Sequence, residues 1–238
     1  MKVISWNLLR LEGAAVEDVA ALLERERPDV MLMQEVTQHM DVLTALAGGH
    51  YSRLPWPGRI HGLAVWSRHN FSTPRVLPLP ASRLPGRLPR RRAQLVQVGD
   101  ITFANVHLSH GQLLNRRQLF RIGAALRGKP AAIIGDYNAV GPIMLPGFAD
   151  VGPREPTHLA GNVVPFRLDR CLLHGLACRS ATTLDFGPSD HKPIVLELMA
   201  AESTRQGPLR RLARRRIAQI RLAMSGNRRR LGGGRSPS

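Results

Sequence analysis

Residues 2–7 have the sequence KVISWN, a short apolar strand pattern that ends on an amide side chain. At four further places along the chain, polar groups able to bind a metal ion adjoin an apolar run. The five segments occupy residues 5–7, 34–36, 105–108, 135–138 and 189–193, with the sequences SWN, QEV, NVHL, GDYN and SDHKP. Each segment alone is typical of a loop, a turn or a helix cap. Their occurrence together, each beside a strand, favours one shared active site.

The stretches around these segments alternate short strand patterns with a few helical ones. Apolar runs predict strands at residues 2–7, 30–34, 63–67, 93–98, 101–106, 131–134, 167–173 and 194–198, and helical spacing predicts helices at 14–27, 41–47 and 116–126. Gly99-Asp100 is a two-residue hairpin signal between two of the strands. The proline-rich stretch 74–92 is expected to be irregular, because proline lacks the N–H that a central strand donates. Many strands with few helices predict a layered α/β (α+β) fold whose sheets pack face to face.

The positive charge is concentrated in one loop and in the C-terminal tail. The chain has 238 residues and a formal net charge of +17, and the residues after Glu202 include eleven arginines and no acidic residue. We therefore predict a domain at 1–200 and an arginine-rich tail at 201–238. Within the tail, apolar residues at helical spacing predict an amphipathic basic helix at about 208–224, followed by a disordered end. The apolar face of this helix fits either docking on the domain or contact with an anionic surface.

The loop contains five arginines close together: Arg83, Arg87, Arg90, Arg91 and Arg92. Blocks of like charge often bind polyanions, so the loop and the tail predict contact with nucleic acid, with an anionic membrane surface as the alternative. No run reaches the ~18 consecutive apolar residues of a membrane span, and the N-terminus lacks the pattern of a signal peptide. The expected location is the cytoplasm, with peripheral attachment to the membrane under the alternative. Cys171 and Cys178 are expected to be unpaired thiols.

The polar side chains of the five segments suit the hydrolysis of a phosphate ester. A hard cation such as Mg²⁺ takes a few oxygen ligands and keeps several waters. Glu35, Asp190 and the amide oxygen of Asn7 are suited to bind it. Hydrolysis also needs an oriented water and groups that face the developing negative charge. Four residues suit these roles: His107, Asp136, Asn138 and His191.

The order of the segments resembles the endonuclease/exonuclease/phosphatase superfamily, the DNase I-like phosphoesterases. The matching stretches are ISWNLL, DVMLMQEV, GLAVWSR, ANVHLSH, AIIGDYN, RLDRCLL and SDHKPIVLEL. They extend over residues 2–198, nearly the whole chain before the basic tail. Jointly these motifs are specific for the superfamily, and they indicate little about the substrate.

The resemblance implies a fold, a cofactor and a metal side of the site. The implied fold is a four-layer αββα sandwich with the site at one edge of two central sheets. Glu35 corresponds to the principal metal ligand, with Asn7 and Asp190 on the same metal side. The implied cofactor is Mg²⁺ or Mn²⁺.

The resemblance also implies the catalytic roles. Asp136 and Asn138 correspond to the pair that activates and orients the attacking water. His191 corresponds to the histidine that contacts the scissile phosphate, Asp169 to the carboxylate that orients it, and His107 to a second phosphate-facing histidine. A carboxylate beside an imidazole favours the imidazolium and fixes its tautomer. Whether Asp136 or His191 is the general base stays open, because both share one hydrogen-bonded network.

The chain departs from exonuclease III-type and abasic-site repair enzymes near the first motif and in the fourth. Leu8 and Leu9 follow Asn7, where those enzymes have an acidic or polar residue shortly after the asparagine. They also have a tyrosine at the position of His107. Both differences favour the DNase I, sphingomyelinase and phosphatase side of the superfamily. Leu63 replaces an asparagine that the family often has after the glycine of GLAVWSR, which removes one polar donor.

The sequence leaves three functions open. The first is a divalent-metal-dependent phosphodiester hydrolase acting as a nuclease of low sequence specificity. The second is a phospholipid or small-molecule phosphodiesterase or phosphatase that acts at an anionic membrane. The third is a non-catalytic polyanion-binding module, which the complete set of polar residues disfavours. His158 is interpreted as a loop histidine, with a position in the cleft as the alternative. Arg116-Arg117-Gln118 is interpreted as the start of a helix, with a phosphate contact as the alternative. The oligomeric state is not indicated.

Overall fold

The computed structural model describes residues 1–82, 90–161 and 163–201. The predicted tail helix at 208–224, the disordered end, and Arg83 and Arg87 lie outside these ranges. The division of the chain near residue 200 therefore stays a prediction. Within the described ranges, no helix is both long enough and apolar enough to span a membrane.

Fourteen strands and three helices make up the described part of the chain. The strands are β1 (Lys2–Asn7), β2 (Val30–Val36), β3 (His50–Pro55), β4 (Gly62–Ser67), β5 (Arg75–Pro78), β6 (Arg92–Val98), β7 (Ile101–His107), β8 (Ala131–Asp136), β9 (Ala149–Asp150), β10 (His158–Ala160), β11 (Val164–Phe166), β12 (Asp169–His174), β13 (Leu176–Thr183) and β14 (Ile194–Ala200). The helices are α1 (Val16–Glu26), α2 (Leu43–Ala47) and α3 (Gln112–Ala125), and a 3-10 turn at Gln38–Val42 precedes α2.

The strands form two six-stranded sheets and a small hairpin. The first sheet has the order β13-β14-β1-β2-β4-β3 and the second β5-β6-β7-β8-β12-β9, while β10 pairs with β11. Each large sheet contains one parallel pair, β1 with β2 and β7 with β8, and the other pairs are antiparallel. Because the carboxyl ends of parallel neighbours lie at the same edge of a sheet, the last residues of these four strands are brought to sheet edges in pairs.

Three apolar clusters hold four layers together. One cluster lies between the sheets, where Val3 and Leu32 of the first sheet face Phe103 and Ile134 of the second. A second cluster packs α1 and the segment around α2 against the outer face of the first sheet. The third packs α3 against the outer face of the second sheet. The four-layer αββα sandwich is therefore confirmed, with each sheet buried on both faces.

Several element boundaries differ from the sequence prediction for local reasons. The stretch 74–92 is not wholly irregular, because Arg75–Pro78 forms an edge strand on β6, where a terminal proline costs no central pairing. Helix α3 begins at Gln112, four residues before the predicted start, and its first four residues are two leucines between two amides. Strands β3 and β13 were not predicted, since their residues are mostly half-buried and lack a continuous apolar run.

The predictions of free cysteine thiols and of a hairpin turn at Gly99 agree with the structure. Cys171 is buried, Cys178 is half-buried, and both are free thiols. Gly99 follows β6 with a φ of 57°, in the left-handed region that a tight hairpin turn requires.

Candidate active site

The carboxyl ends of the two parallel strand pairs bring polar side chains to a common edge of the sandwich. Asn7 at the end of β1 is in register with Gln34 of β2. In the second sheet, His107 at the end of β7 is in register with Asp136 at the end of β8. A hydrogen bond joins the sheets at this edge, since Asn7 Nδ2 donates to Asp136 Oδ2 at 3.2 Å. Sheet register therefore explains why motifs far apart in sequence meet.

Asp136 is the most highly connected carboxylate of this cluster. Its Oδ1 accepts the backbone N–H of Asn138 at 2.8 Å, and the Asn138 side chain lies 3.4 Å from Oδ2. Two imidazoles approach the same Oδ2, His107 Nε2 at 3.4 Å and His191 Nε2 at 3.9 Å. Burial raises the pKa of Asp136, against the lowering effect of His191. Asn138 keeps its place because its amide also donates to the Leu108 carbonyl at 3.0 Å, with a left-handed φ of 47°.

Asp169 and His191 form a tight buried pair. His191 Nδ1 and Asp169 Oδ2 are 2.7 Å apart, and both side chains are almost fully buried. Asp169 is fixed because its backbone N–H donates to Thr157 Oγ1 at 2.9 Å, at the start of β12. Burial by itself disfavours the imidazolium, but Asp169, Asp136 and Asp190 outweigh it and raise the pKa of His191 to about 10.

The loop that carries His191 is anchored to the end of β1. Trp6 Nε1 donates to the His191 carbonyl at 2.8 Å, and Ser189 Oγ donates to the Asn7 carbonyl at 2.7 Å. The backbone N–H of His191 donates to Ser189 Oγ at 3.1 Å. The serine before Asp190 therefore positions this loop.

Glu35 lies at a bulge in β2 and extends towards His107. The register of β2 against β4 shifts between Gln34 and Val36, and Glu35 has a left-handed φ of 58°. Its carboxylate is 3.9 Å from His107 Nδ1 and accepts no hydrogen bond from the described residues. Burial raises the pKa of Glu35. A half-buried carboxylate with no partner is a place where a cation would be stabilising.

His107 is buried and held as the neutral imidazole. Burial, and then the charges of Arg91 and His191, lower the pKa of His107 well below its ordinary value. Its Nδ1 is buried without a hydrogen-bond partner among the described residues. The ring packs against Trp56, with the centroids 5.5 Å apart.

Asp190 lies on the far side of His191, together with His158. Asp190 Oδ2 is 3.7 Å from His158 Nδ1, and Asp190 Oδ1 is 4.0 Å from His191 Nε2. The ligand atoms of these three residues lie within 4.8 Å of one another, which makes them a candidate metal-binding triad. Glu35 belongs to no such triad among the described residues.

His158 lies in the cleft, contrary to its interpretation as a loop histidine. It belongs to β10, and its backbone bridges to His191. The two rings are tilted against each other with centroids 4.3 Å apart. The pairing of β10 with the 189–193 loop brings His158 there, as the alternative interpretation from the sequence expected.

A buried polar network beneath the cleft was not predicted. Gln34 Nε2 donates to Asn105 Oδ1 at 2.8 Å and to Ser5 Oγ at 3.1 Å. Asn105 Nδ2 in turn donates to Gln94 Oε1 at 3.1 Å and to backbone carbonyls of β2 and β4. These bonds tie the two sheets together below the catalytic cluster. Amides inside the strand-end motifs were the available signal.

The Arg116-Arg117-Gln118 group is structural where the structure describes its contacts. Gln118 is buried; its Oε1 accepts the Ser109 backbone N–H at 3.0 Å, and its Nε2 donates to the Pro80 carbonyl at 2.9 Å. Arg116 donates to the Gln112 carbonyl within the first turns of α3. The interpretation of these residues as part of the helix start agrees with these bonds.

Comparisons with known proteins show the family and the fold. A family model described as "Endonuclease/Exonuclease/phosphatase family" matches residues 4–191. The solved endonuclease/exonuclease/phosphatase from Beutenbergia cavernae DSM 12333 has a TM-score of 0.68 at 21% identity, covering 85% of this chain and 72% of that one. Humanized D. rerio TDP2 has a TM-score of 0.68 at 17% identity, covering 84% and 99%. A mannosyl-6-phosphatase from Bacteroides thetaiotaomicron VPI-5482 has a TM-score of 0.64 at 17% identity, also covering 84% and 99%. At these identities the solved structures show the fold, and no curated protein matches the chain.

Proposed function

The chain belongs to the endonuclease/exonuclease/phosphatase family of phosphate-ester hydrolases, and from that premise we propose that it is a divalent-metal-dependent phosphodiester hydrolase. Within that class, we propose that the protein is a nuclease of low sequence specificity. The observation that carries the proposal is the meeting of Asn7, His107, Asp136 and the Asp169–His191 pair at one edge of the sandwich. The proposed location is the cytoplasm, and nucleic acid is the proposed partner of the basic loop and tail.

The residues present fit a hard divalent cation, proposed to be Mg²⁺ or Mn²⁺. Glu35 supplies a half-buried carboxylate without a hydrogen-bond donor among the described residues, and Asp190 Oδ1 is buried and equally unpartnered. Mg²⁺ is commonly bound by one or two carboxylates and several waters, so Glu35 with Asn7 is a sufficient protein contribution on one side. The bound cation would neutralise charge that develops on the phosphoryl oxygens.

The side chains around the cation site divide the remaining work. Asp136, fixed by Asn7 and Asn138, is proposed to orient the attacking water and to accept its proton. Asp169 holds Nδ1 of His191, so that Nε2 is directed to the phosphate as the donor that stabilises its growing charge. His107, a neutral imidazole beside Asp136, adds a second donor on the other side.

A panel of phosphate esters tests this proposal with the wild type and His191→Ala. The panel contains plasmid and single-stranded DNA, RNA, a phospholipid and small phosphomonoesters, each assayed with Mg²⁺ and Mn²⁺. We expect turnover of at least one phosphodiester. In His191→Ala we expect kcat to fall by at least about 100-fold, because acid–base and electrostatic groups contribute at least that much.

His39→Ala is the matched control, since His39 is an exposed histidine on the 3-10 turn before α2. It should keep wild-type turnover. Folded wild-type protein without activity on any ester would defeat the proposal and favour a non-catalytic polyanion-binding module.

An exposed apolar rim favours phospholipid hydrolysis as a second candidate function. Met144 is 87% and Val163 77% exposed. Met144 follows Val140 by four residues in the chain, and Val140, itself 51% exposed, lines a cavity of about 460 Å³ together with Phe166, His158 and other residues beside the catalytic cluster. Such a rim suits an apolar leaving group at a lipid surface.

Vesicle sedimentation separates this candidate from the nuclease. If the rim inserts into lipid, Met144→Asp should weaken binding of the full chain to phosphatidylserine vesicles several-fold, whereas Met199→Asp, at an exposed methionine of β14, should not. Equal binding of both variants and the wild type would remove the second candidate.

A further inference from the structure

Arg91 differs from the exposed arginines of the protein because it is buried without a partner. Arg91 is only 6% exposed. Its Nε and one terminal nitrogen have no hydrogen-bond partner among the described residues. Arginine is rarely buried unless its donors are paired. A buried donor without an acceptor costs free energy, and a bound acceptor would recover it.

The guanidinium of Arg91 is held in position by Trp56. The guanidinium carbon lies 4.4 Å from the centre of the Trp56 ring. Trp56 is 2% exposed, and the turn that carries it is closed by a hydrogen bond from its backbone N–H to the His61 carbonyl at 3.2 Å. Stacking of this kind fixes the plane of the guanidinium before any ligand arrives.

Arg91 and the catalytic cluster share one aromatic neighbour, Trp56. The Trp56 ring that carries Arg91 also packs against His107, 5.5 Å between centroids. The carboxylates of Asp136 and Glu35 act on Arg91 through space, but neither accepts a hydrogen bond from it. Burial lowers the pKa of Arg91 to about 10, which leaves it a cation at neutral pH.

The cavity beside Arg91 has the chemistry of an anion site. It has a volume of about 690 Å³, and the described residues that line it include Trp56, Arg59, Arg90, Arg91 and Arg92 and no acidic residue. His61 packs against Trp56, and burial together with Arg10 and Arg91 lowers the pKa of His61 to about 4. The four arginines of the lining favour a phosphate over a cation or an apolar group.

We propose that this cavity is a subsite for a second phosphate of the substrate, distinct from the one that is hydrolysed, and that Arg91 is its principal ligand. The inference rests on the proposed function, because the hydrolysed phosphate lies at the Asp136 and His191 cluster. Trp56 contacts both the Arg91 guanidinium and the ring of His107 in that cluster. The second phosphate belongs either to the next nucleotide of a nucleic acid or to a bisphosphorylated small molecule.

Two pairs of probes test the subsite and separate these sources. Thymidine 5′-phosphate is compared with thymidine 3′,5′-bisphosphate, and glucose 6-phosphate with glucose 1,6-bisphosphate. Each binds to the full chain in a calorimeter in the presence of Ca²⁺, a hard cation with oxygen ligands. We expect the bisphosphate to bind at least about 10-fold more tightly in one pair, because charge-assisted bidentate bonds are strong. The pair with this advantage identifies the source.

Variants assign the advantage to Arg91. Arg91→Met keeps an unbranched side chain on Trp56 and should abolish the advantage of the bisphosphate while leaving the Kd of the monophosphate within about two-fold. Arg91→Lys keeps the charge but lacks the planar guanidinium, so it should retain part of the affinity advantage of the bisphosphate. Arg127→Met removes the same charge from an exposed site after α3 and should change nothing.

Two results would overturn the proposal. One is a wild type that binds both members of both pairs equally, which needs no variant and so does not depend on the folding of Arg91→Met. The other is an Arg91→Met variant that weakens the monophosphate and the bisphosphate by the same factor. Failure of the proposed function has a different signature, since it appears as an absence of turnover in the ester panel and leaves this binding comparison intact.

Discussion

Single residues in the cleft take their charge from burial and from the carboxylates around them. Burial raises the pKa of Glu35 and lowers that of His107, which disfavours the charged form of both. His191 is the exception, because three carboxylates outweigh its burial. The same competition occurs away from the cleft at Asp150, where it bears on stability.

Asp150 carries a prediction about pH. Arg167 donates to both of its carboxylate oxygens, at 2.9 and 2.7 Å, and Arg170 donates at 3.3 Å. Burial alone would raise the pKa of Asp150, but Arg167 and Arg170 outweigh it and lower that pKa below 3.8. A lowered pKa in the folded state gives stability that is complete above the unfolded-state pKa and is lost as the pH falls through the folded one.

Asp150→Asn should therefore lower the free energy of unfolding by about 3 kcal/mol at pH 7. The difference from the wild type should shrink as the pH falls below about 4. Urea unfolding from pH 7 to pH 3 measures this. Asp41→Asn is the control, since Asp41 binds Arg53 with equally short bonds but is 45% exposed and should cost under about 1 kcal/mol. A pH-independent difference for Asp150→Asn would contradict the prediction.

At the level of elements, the site depends on how closely β7 and β8 approach. Gly135 precedes Asp136 on β8 with a φ of 140°, and an added Cβ would lie 2.0 Å from the Val106 carbonyl oxygen. The same Cβ would crowd the side chain of Gln34 at 3.1 Å. Only glycine permits this contact, so the strand that carries Asp136 is set by its neighbour.

Gly135→Ala should cost more than about 3 kcal/mol and lower turnover, because β8 must move and take Asp136 with it. Gly128→Ala is the matched control: its φ of 79° imposes comparable backbone strain, but nothing lies within 4 Å of the added Cβ. It should cost about 1 kcal/mol and leave turnover unchanged. Thermal unfolding and assay of both variants provide the comparison. Similar losses in the two would show that the contact with Val106 does not matter.

The sequence predicted those elements whose pattern is local. Apolar runs identified β1, β2, β7 and β8 because each is buried on both faces of its sheet. Strand β13 was not predicted because it lies at the edge of its sheet and its apolar residues do not form a continuous run. The bulge at Glu35 has no sequence signal, and it determines the direction of that side chain.

Over the whole molecule, the candidate site joins residues that no short window contains. Asn7, Asp136 and His191 were predicted as one set because the order of the motifs resembles a known family. His158, Trp56 and Arg91 were not part of that set. A β-bridge places His158, a turn between two strands places Trp56, and stacking on the Trp56 ring places Arg91. Motif order therefore predicted the catalytic residues of the cleft, whereas the positions of the residues around them were identified only from the structure.

The cleft is proposed to hydrolyse phosphate esters with a divalent cation bound at Glu35. The most direct measurement is kcat/KM on the best ester of the panel, as a function of Mg²⁺ concentration, for the wild type, Glu35→Gln and the exposed control Glu12→Gln. We predict that chelation abolishes wild-type activity, that added Mg²⁺ restores it, and that Glu35→Gln lowers kcat/KM at least about 100-fold at unchanged Tm. Glu12→Gln should match the wild type. Hydrolysis that persists after chelation, or that Glu35→Gln leaves intact, would contradict the claim.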